Sequence, residues 1–121
     1  MTDVIVVDVA NMMGSRPDGW WRDRAGAAGR LYDEVVASGL DGVVLVVEGA
    51  ARAGVELGDH SGVRVVHAPG SGDDAVVDSV AALAGVDGTV TVVTSDRELR
   101  RRVRELGAEV SGPGWFREQL G

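Results

Sequence analysis

Six carboxylates stand where this sequence could place chemistry. Asp8 closes the apolar run Val4–Asp8 (VIVVD), and Glu48 follows Val43–Val47 (VVLVV). Asp73 and Asp74 come a short Gly-rich link after Val63–His67 (VRVVH), Asp78 follows Asp74 by about one helical turn, and Asp96 follows Thr89–Thr94 (TVTVVT). A lone Asp or Glu is ordinarily a solvated surface residue or a turn former. Acids gathered at the ends of several strands are different, because converging carboxylates repel one another until protons or a cation compensate them. Oxygen ligands of this kind suit Mg²⁺ or Mn²⁺. The chain has no cysteine, which excludes disulfides, thiolate nucleophiles and sulfur-held zinc. The expected metal ligands are Asp8, Glu48, Asp74, Asp78 and Asp96, with Asp8, Asp73, Asp74 and Asp96 as catalytic candidates. An ion so held orients a water, lowers its pKa and stabilises charge on phosphoryl oxygens, so phosphodiester hydrolysis needs no protein nucleophile.

The elements that must position these acids follow from the apolar pattern. The four runs are nearly continuous in Val and Ile, as parallel strands buried on both faces require, whereas a half-exposed antiparallel strand would alternate. Between them, Trp21–Ala37 reads as a helix with Leu31, Val35 and Val36 inward, and Asp73–Leu83 carries Val76, Val77, Val80 and Leu83 at helical spacing. A third helix spans about Asp96–Leu106 and stops at Gly107, a residue suited to a left-handed helix end. Ala108–Val110 suits a short edge strand. Gly49–Gly62 fits either a short helix or a loop. Gly112–Gly121 reads as a turn and short helix whose Trp115 and Phe116 anchor it by packing. The expected fold is a single α/β domain over residues 1–121, three-layered and Rossmann-like, around a mostly parallel sheet of four to five strands. In such sheets ligands bind outside the carboxyl ends of the strands, where the acids fall.

Charge bounds the partners. The formal net charge of −7 argues against a broad DNA-coating surface, since that mode depends on neutralising phosphates. All 12 basic residues are arginine, and they cluster: Arg16 to Arg30 holds four and Arg97 to Arg104 holds five. Two such stretches set side by side would give an acidic protein a basic rim for phosphates. The loop Gly14–Asp23 (GSRPDGWWRD) combines Arg16, Trp20, Trp21 and Arg22, suited to stacking bases and pairing phosphates of single-stranded RNA better than of a duplex. One Trp there is expected to pack under the following helix, and Trp21 is assigned that role. Arg97, directly after Asp96, is a phosphate contact by position, while the remaining arginines of that helix read as a solvated face. His67 is a structural hydrogen-bonding residue and His60 a surface one. Gly70–Ala75 also fits a G-x-G-x-x-A dinucleotide pattern, but Asp73 and Asp74 would bring negative charge to the pyrophosphate position. The absence of lysine excludes a P-loop. With no apolar run long enough for a membrane span and no signal-like segment around Met1 to Asp8, a soluble cytoplasmic protein is expected.

Three stretches, in order along the chain, resemble the NYN domain of the PIN-like (YacP-like) nuclease superfamily. They are Val4–Gly14 (VIVVDVANMMG), in which Asn11 follows Asp8 by three residues, Gly70–Asp78 (GSGDDAVVD) and Thr91–Arg97 (TVVTSDR). The resemblance implies a PIN-like fold, a Mg²⁺ or Mn²⁺ site and RNA cleavage, with Asp8, Asp73 or Asp74, and Asp96 as ligands. It also implies that Asn11 and Ser95 are polar supports or substrate contacts. Val9 departs from the Gly common in that family, and Glu48 stands where many relatives show Asp. Two alternatives stay open on the residues: a noncatalytic RNA- or protein-binding module of the same fold, and a hydrolase of nucleotides or small phosphoesters. Oligomeric state, a homo-oligomer included, and any protein partner are not fixed by the sequence.

Overall fold

The computed structural model describes residues 3–121; Met1 and Thr2, ahead of the first strand, lie outside the described residues. Six strands form one sheet: β1 (Val4–Asp8), β2 (Val43–Val47), β3 (Gly58–His60), β4 (Val63–His67), β5 (Val90–Val93) and β6 (Glu109–Ser111). Their order is β3-β4-β2-β1-β5-β6, parallel except for β3, which pairs antiparallel with β4. The sheet is therefore wider than the four to five strands expected. The additional strand is Gly58–His60, a three-residue edge without a β-branched residue, joined to β4 through Ser61 and Gly62. Both turn residues have positive φ, the pairing that a tight hairpin of the right twist demands.

The valines decide which strands lie inside. Val6, Val7, Val43, Val47, Val63, Val65, Val92 and Val93 are almost fully buried, with Val7, Val43, Val47, Val63, Val65 and Val93 in one hydrophobic layer and Val6 and Val92 in a second on the opposite face of the sheet. One layer lies beneath the helices α1 (Val9–Gly14), α2 (Arg24–Ser38) and α5 (Pro113–Leu120), where Met12, Leu31, Val35 and Phe116 close the core. The other lies beneath α3 (Gly72–Ala82) and α4 (Arg97–Glu105), with Val76, Val80, Leu99 and Val103. Burying a side chain such as Leu31 or Phe116 contributes roughly 1.5–3 kcal/mol. The result is three layers, helices on both faces of a mostly parallel sheet.

Connectivity sets where a ligand can bind. From β1 the chain moves outward to β2 and β4 on one side, then α3 carries it back across to β5 on the other side of β1. The strand order reverses between β1 and β5, and the crevice at their carboxyl ends is the switch point at which α/β proteins place ligands. Helix boundaries differ modestly from the sequence reading. α2 starts at Arg24, because Asp23 caps it by accepting from the Gly26 amide at 2.9 Å, and Trp20–Arg22 form a separate 3₁₀ turn. Gly49–Gly54 is also a 3₁₀ segment, packed on α2 so closely that a side chain at Gly54 would collide with the Ala25 carbonyl. Phe116 is fully buried and Trp115 packs against the same core, as the terminal helix required. No described helix is long and apolar enough to cross a membrane.

Candidate active site

Asp8 is built into the end of β1, beside Val46 of β2, and is 6% exposed. It also caps α1: Asn11 N donates to its Oδ1 at 3.3 Å. The Thr94 hydroxyl, fully buried after β5, donates to its Oδ2 at 3.0 Å and accepts from the Asp96 amide at 3.2 Å. Thr94 thus ties the two acids that flank the switch point to a single hydroxyl. In the sequence Thr94 carries no signal of this role beyond its place between a buried strand and Ser-Asp. Asn11 crosses the same crevice, its Oδ1 accepting from both the amide and the hydroxyl of Ser95 at 3.0 and 3.1 Å. Asn11 and Ser95 are therefore one unit, holding the end of β1 against the end of β5. Val9, the departure from the family pattern, is buried in the core on the α1 side and leaves this edge untouched.

Asp96 caps α4 through Oδ1, which accepts from Leu99 N at 2.9 Å, and its residue is exposed. Glu48, just past β2, reaches the first residue of α3, with its Oε2 accepting from Gly72 N. Only glycine permits that approach, since a Cβ at position 72 would stand 2.7 Å from Glu48 Oε2. Ser71 caps α3, so α1, α3 and α4 all begin at the same edge with a side-chain cap. Helix starts direct amide donors and a positive dipole end toward whatever binds there, an environment favourable to phosphate.

The electrostatics single out Asp8 and Asp73. Burial pushes the Asp8 carboxyl up to about 6; hydrogen bonds from Asn11 and Thr94 oppose the rise, and the charges of Asp73 and Glu48 add to it. Asp73, partly buried at the start of α3, is raised by its own burial first and then by Asp96 and Glu48, with Arg102 pulling the other way. These four acids share one field. Among the described residues, however, no three Asp, Glu or His side chains stand close enough together to cage an ion. Asp74 is turned to Arg102 of α4, 2.9 Å away, and Asp78 is exposed on α3 without a hydrogen bond or ion pair of its own among the described residues.

The basic residues divide in the same way. Arg16 is engaged bidentately by Glu34 of α2 at 2.7 and 3.1 Å. Arg101 is held by Glu98 and Glu105, and Arg100 donates to the Thr94 carbonyl at 2.7 Å, bracing the loop that carries Ser95 and Asp96. Arg97, next to Asp96, is exposed and makes no ion pair among the described residues. Trp21, assigned to packing from the sequence, is instead 54% exposed with the Arg22 guanidinium 5.7 Å from its ring centre, while Trp20 is partly buried, packing against the core and lining the hollow beside Glu48. A 3₁₀ turn offers no helical periodicity from which to read that choice. His67 is structural, its Nε2 2.7 Å from the Val55 carbonyl, and His60 is exposed.

Layer order, the β1/β5 switch point and acids at the strand ends define an α/β domain of PIN-like, Rossmann-type fold. The chain shares that fold with Rae1 (YacP) from Bacillus subtilis, to whose crystal structure it is 18% identical, with a TM-score of 0.78 over 98% of this chain and 74% of that one. A single-substitution mutant of the same Bacillus protein superposes with a TM-score of 0.75, again at 18% identity, over 98% of this chain and 75% of the other. No protein-family model and no curated protein matches the chain.

Proposed function

We propose that the chain is a metal-dependent ribonuclease, hydrolysing phosphodiester bonds of RNA at the carboxyl edge of its sheet. The observation that carries this reading is the gathering of Asp8, Glu48, Asp73 and Asp96 at the switch point, where burial raises the Asp8 and Asp73 carboxyls and the neighbouring acids add to the rise. A divalent cation relieves such repulsion. The donor set fits Mg²⁺ or Mn²⁺: all oxygens, and spread more widely than a closed cage. Mg²⁺ typically keeps several waters and takes one or two carboxylates together with substrate phosphates. Asp8 and Asp96 would hold the ion, with Glu48 and Asp73 completing the negative field. When bound, the ion supplies a water of lowered pKa and charge stabilisation at the phosphoryl oxygens.

The chain's own residues account for the rest. Thr94 fixes Asp8 relative to Asp96, the Asn11–Ser95 pair keeps the crevice edges in register, and Arg97 is free to pair with a phosphate beside the site. The resemblance of the three motifs to NYN/PIN-like nucleases supports RNA as the substrate class, and the fold shared with Rae1 (YacP) agrees with the fold that resemblance implies. The test is cleavage of labelled single-stranded RNA with Mn²⁺ or Mg²⁺. Wild type should cleave, and Asp8→Asn and Asp96→Asn should lose the activity by two orders of magnitude or more; equal cleavage by the variants would refute the reading. The hydrogen bonds already made by Asp8, Glu48 and Asp96, and the lack of a three-acid cage among the described residues, favour one second reading, a noncatalytic RNA-binding module. It predicts RNA binding without turnover.

A further inference from the structure

Trp20 stands between two hollows. Its ring packs against the core and meets Trp21 edge-on, with centroids 6.1 Å apart and planes at 87°. On one side Trp20, Met12 and Leu31 line a hollow whose rim is closed by the Arg16–Glu34 ion pair. On the other side lies a hollow of about 340 Å³, walled by Trp20, Arg24, Met13, Glu48, the turn Gly49–Ala51 and Gly70. Glu48 belongs to the acidic edge, so this second hollow shares a wall with the candidate active site.

We propose that the second hollow is a base-binding subsite, taking one unpaired base of single-stranded RNA against Trp20 while Arg24 meets the adjoining phosphate. The proposal rests on the reading of the acidic edge as an RNA site, and it adds the class of substrate conformation that the site selects. The volume is at the lower end of the roughly 300–1,000 Å³ of small-ligand pockets, room for one nucleoside and not for a base pair with its strands. Its walls suit a flat aromatic ring: an indole face, the small residues Gly49, Ala50 and Ala51, and Gly70, around whose α-carbon a side chain would meet nothing within 4 Å. The Arg24 guanidinium lies over the Trp20 ring, 5.4 Å from its centre, and makes no ion pair among the described residues, so a base taking that ring face displaces it toward the adjoining phosphate. Glu48 contributes an acceptor: Oε2 takes the Gly72 amide, and Oε1 is open to an amino group of the base. Arg16, by contrast, is tied to Glu34, which leaves Arg24 as the basic partner of Trp20.

The test is fluorescence anisotropy of a labelled single-stranded RNA decamer on the full chain in EDTA, where no turnover interferes, beside a decamer of abasic residues. Wild type should bind the natural strand more tightly. Gly70→Leu, which adds a bulky side chain to the wall of the hollow without a backbone clash, should weaken that binding on the order of tenfold, as expected for loss of one stacked base, and Arg24→Ala should weaken it comparably by removing the phosphate partner. Trp20→Phe should stay within about threefold of wild type, and Gly70→Leu should bind the abasic strand unchanged. Natural and abasic strands bound alike by wild type, Gly70→Leu binding as wild type, or no RNA binding at all would each overturn the subsite. The two readings fail separately. Mn²⁺-dependent cleavage that persists unchanged in Gly70→Leu and Arg24→Ala overturns the subsite alone, whereas base-dependent binding without cleavage overturns the hydrolase alone.

Discussion

Replacing Asp8 with Asn takes a charge out of a nearly closed environment, and its effect on stability must depend on pH in a defined direction. In the folded chain the Asp8 carboxyl titrates at about 6, above its ordinary value of 3.8, chiefly because burial disfavours the anion. Between those two pH values the native state keeps a proton that the unfolded chain has lost. Stability from this group is therefore fully present below about pH 4 and lost as pH rises through about 6. At about 1.4 kcal/mol per pH unit, the gap amounts to about 3 kcal/mol of destabilisation at neutral pH in the absence of metal. Asn cannot ionise. It also rearranges the bond to Thr94, a cost of about 1 kcal/mol that does not vary with pH. The informative quantity is the variant-minus-wild-type difference in unfolding free energy, which should grow by about 3 kcal/mol between pH 4 and pH 7. Urea unfolding of both proteins in metal-free buffer measures it, and the corresponding change in the difference of Tm is about 10 °C. Parallel pH profiles for the two proteins would refute the assignment of a buried, charge-burdened carboxylate at the switch point.

Two further outcomes follow from the hydrogen bonds around the site. Thr94→Val removes the donor to Asp8 and the acceptor of the Asp96 amide, so it should cost about 1–3 kcal/mol and raise the Asp8 pKa above its wild-type value, read by NMR titration of the carboxyl carbon; an unchanged titration would show that the hydroxyl does not hold Asp8. Gly72→Ala should displace Glu48 and cost about 1–3 kcal/mol, while in a Glu48→Ala background the same change should be neutral or slightly stabilising. A double-mutant cycle with no coupling would contradict the contact.

The sheet was legible because its strands leave little choice. Val43–Val47 is five apolar residues in a row, and only a strand buried on both faces hides all of them. The acids at the ends of β1, β2 and β5 and at the start of α3 were equally visible, since the chain rule for parallel sheets places every strand's carboxyl end on one edge. What the sequence concealed depends on tertiary distance or on short elements. Gly58–His60 has no strand signal and pairs only because the hairpin turn folds it onto β4. Val9–Gly14 is a six-residue helix capped by the same Asp8 that was read as a strand end. Asp73 and Asp74 are adjacent and chemically alike, and only the position of Arg102 on α4 separates the one facing the acidic edge from the one in an ion pair. Trp20 and Trp21 are distinguished by the rotation of one 3₁₀ turn.

If the strand-end carboxylates hold a divalent cation, calorimetric titration of Mn²⁺ into the metal-free chain near neutral pH must register it. Wild type should show saturable binding that weakens at least tenfold in Asp8→Asn and in Asp96→Asn. No binding to wild type, or binding that both variants retain unchanged, would contradict it.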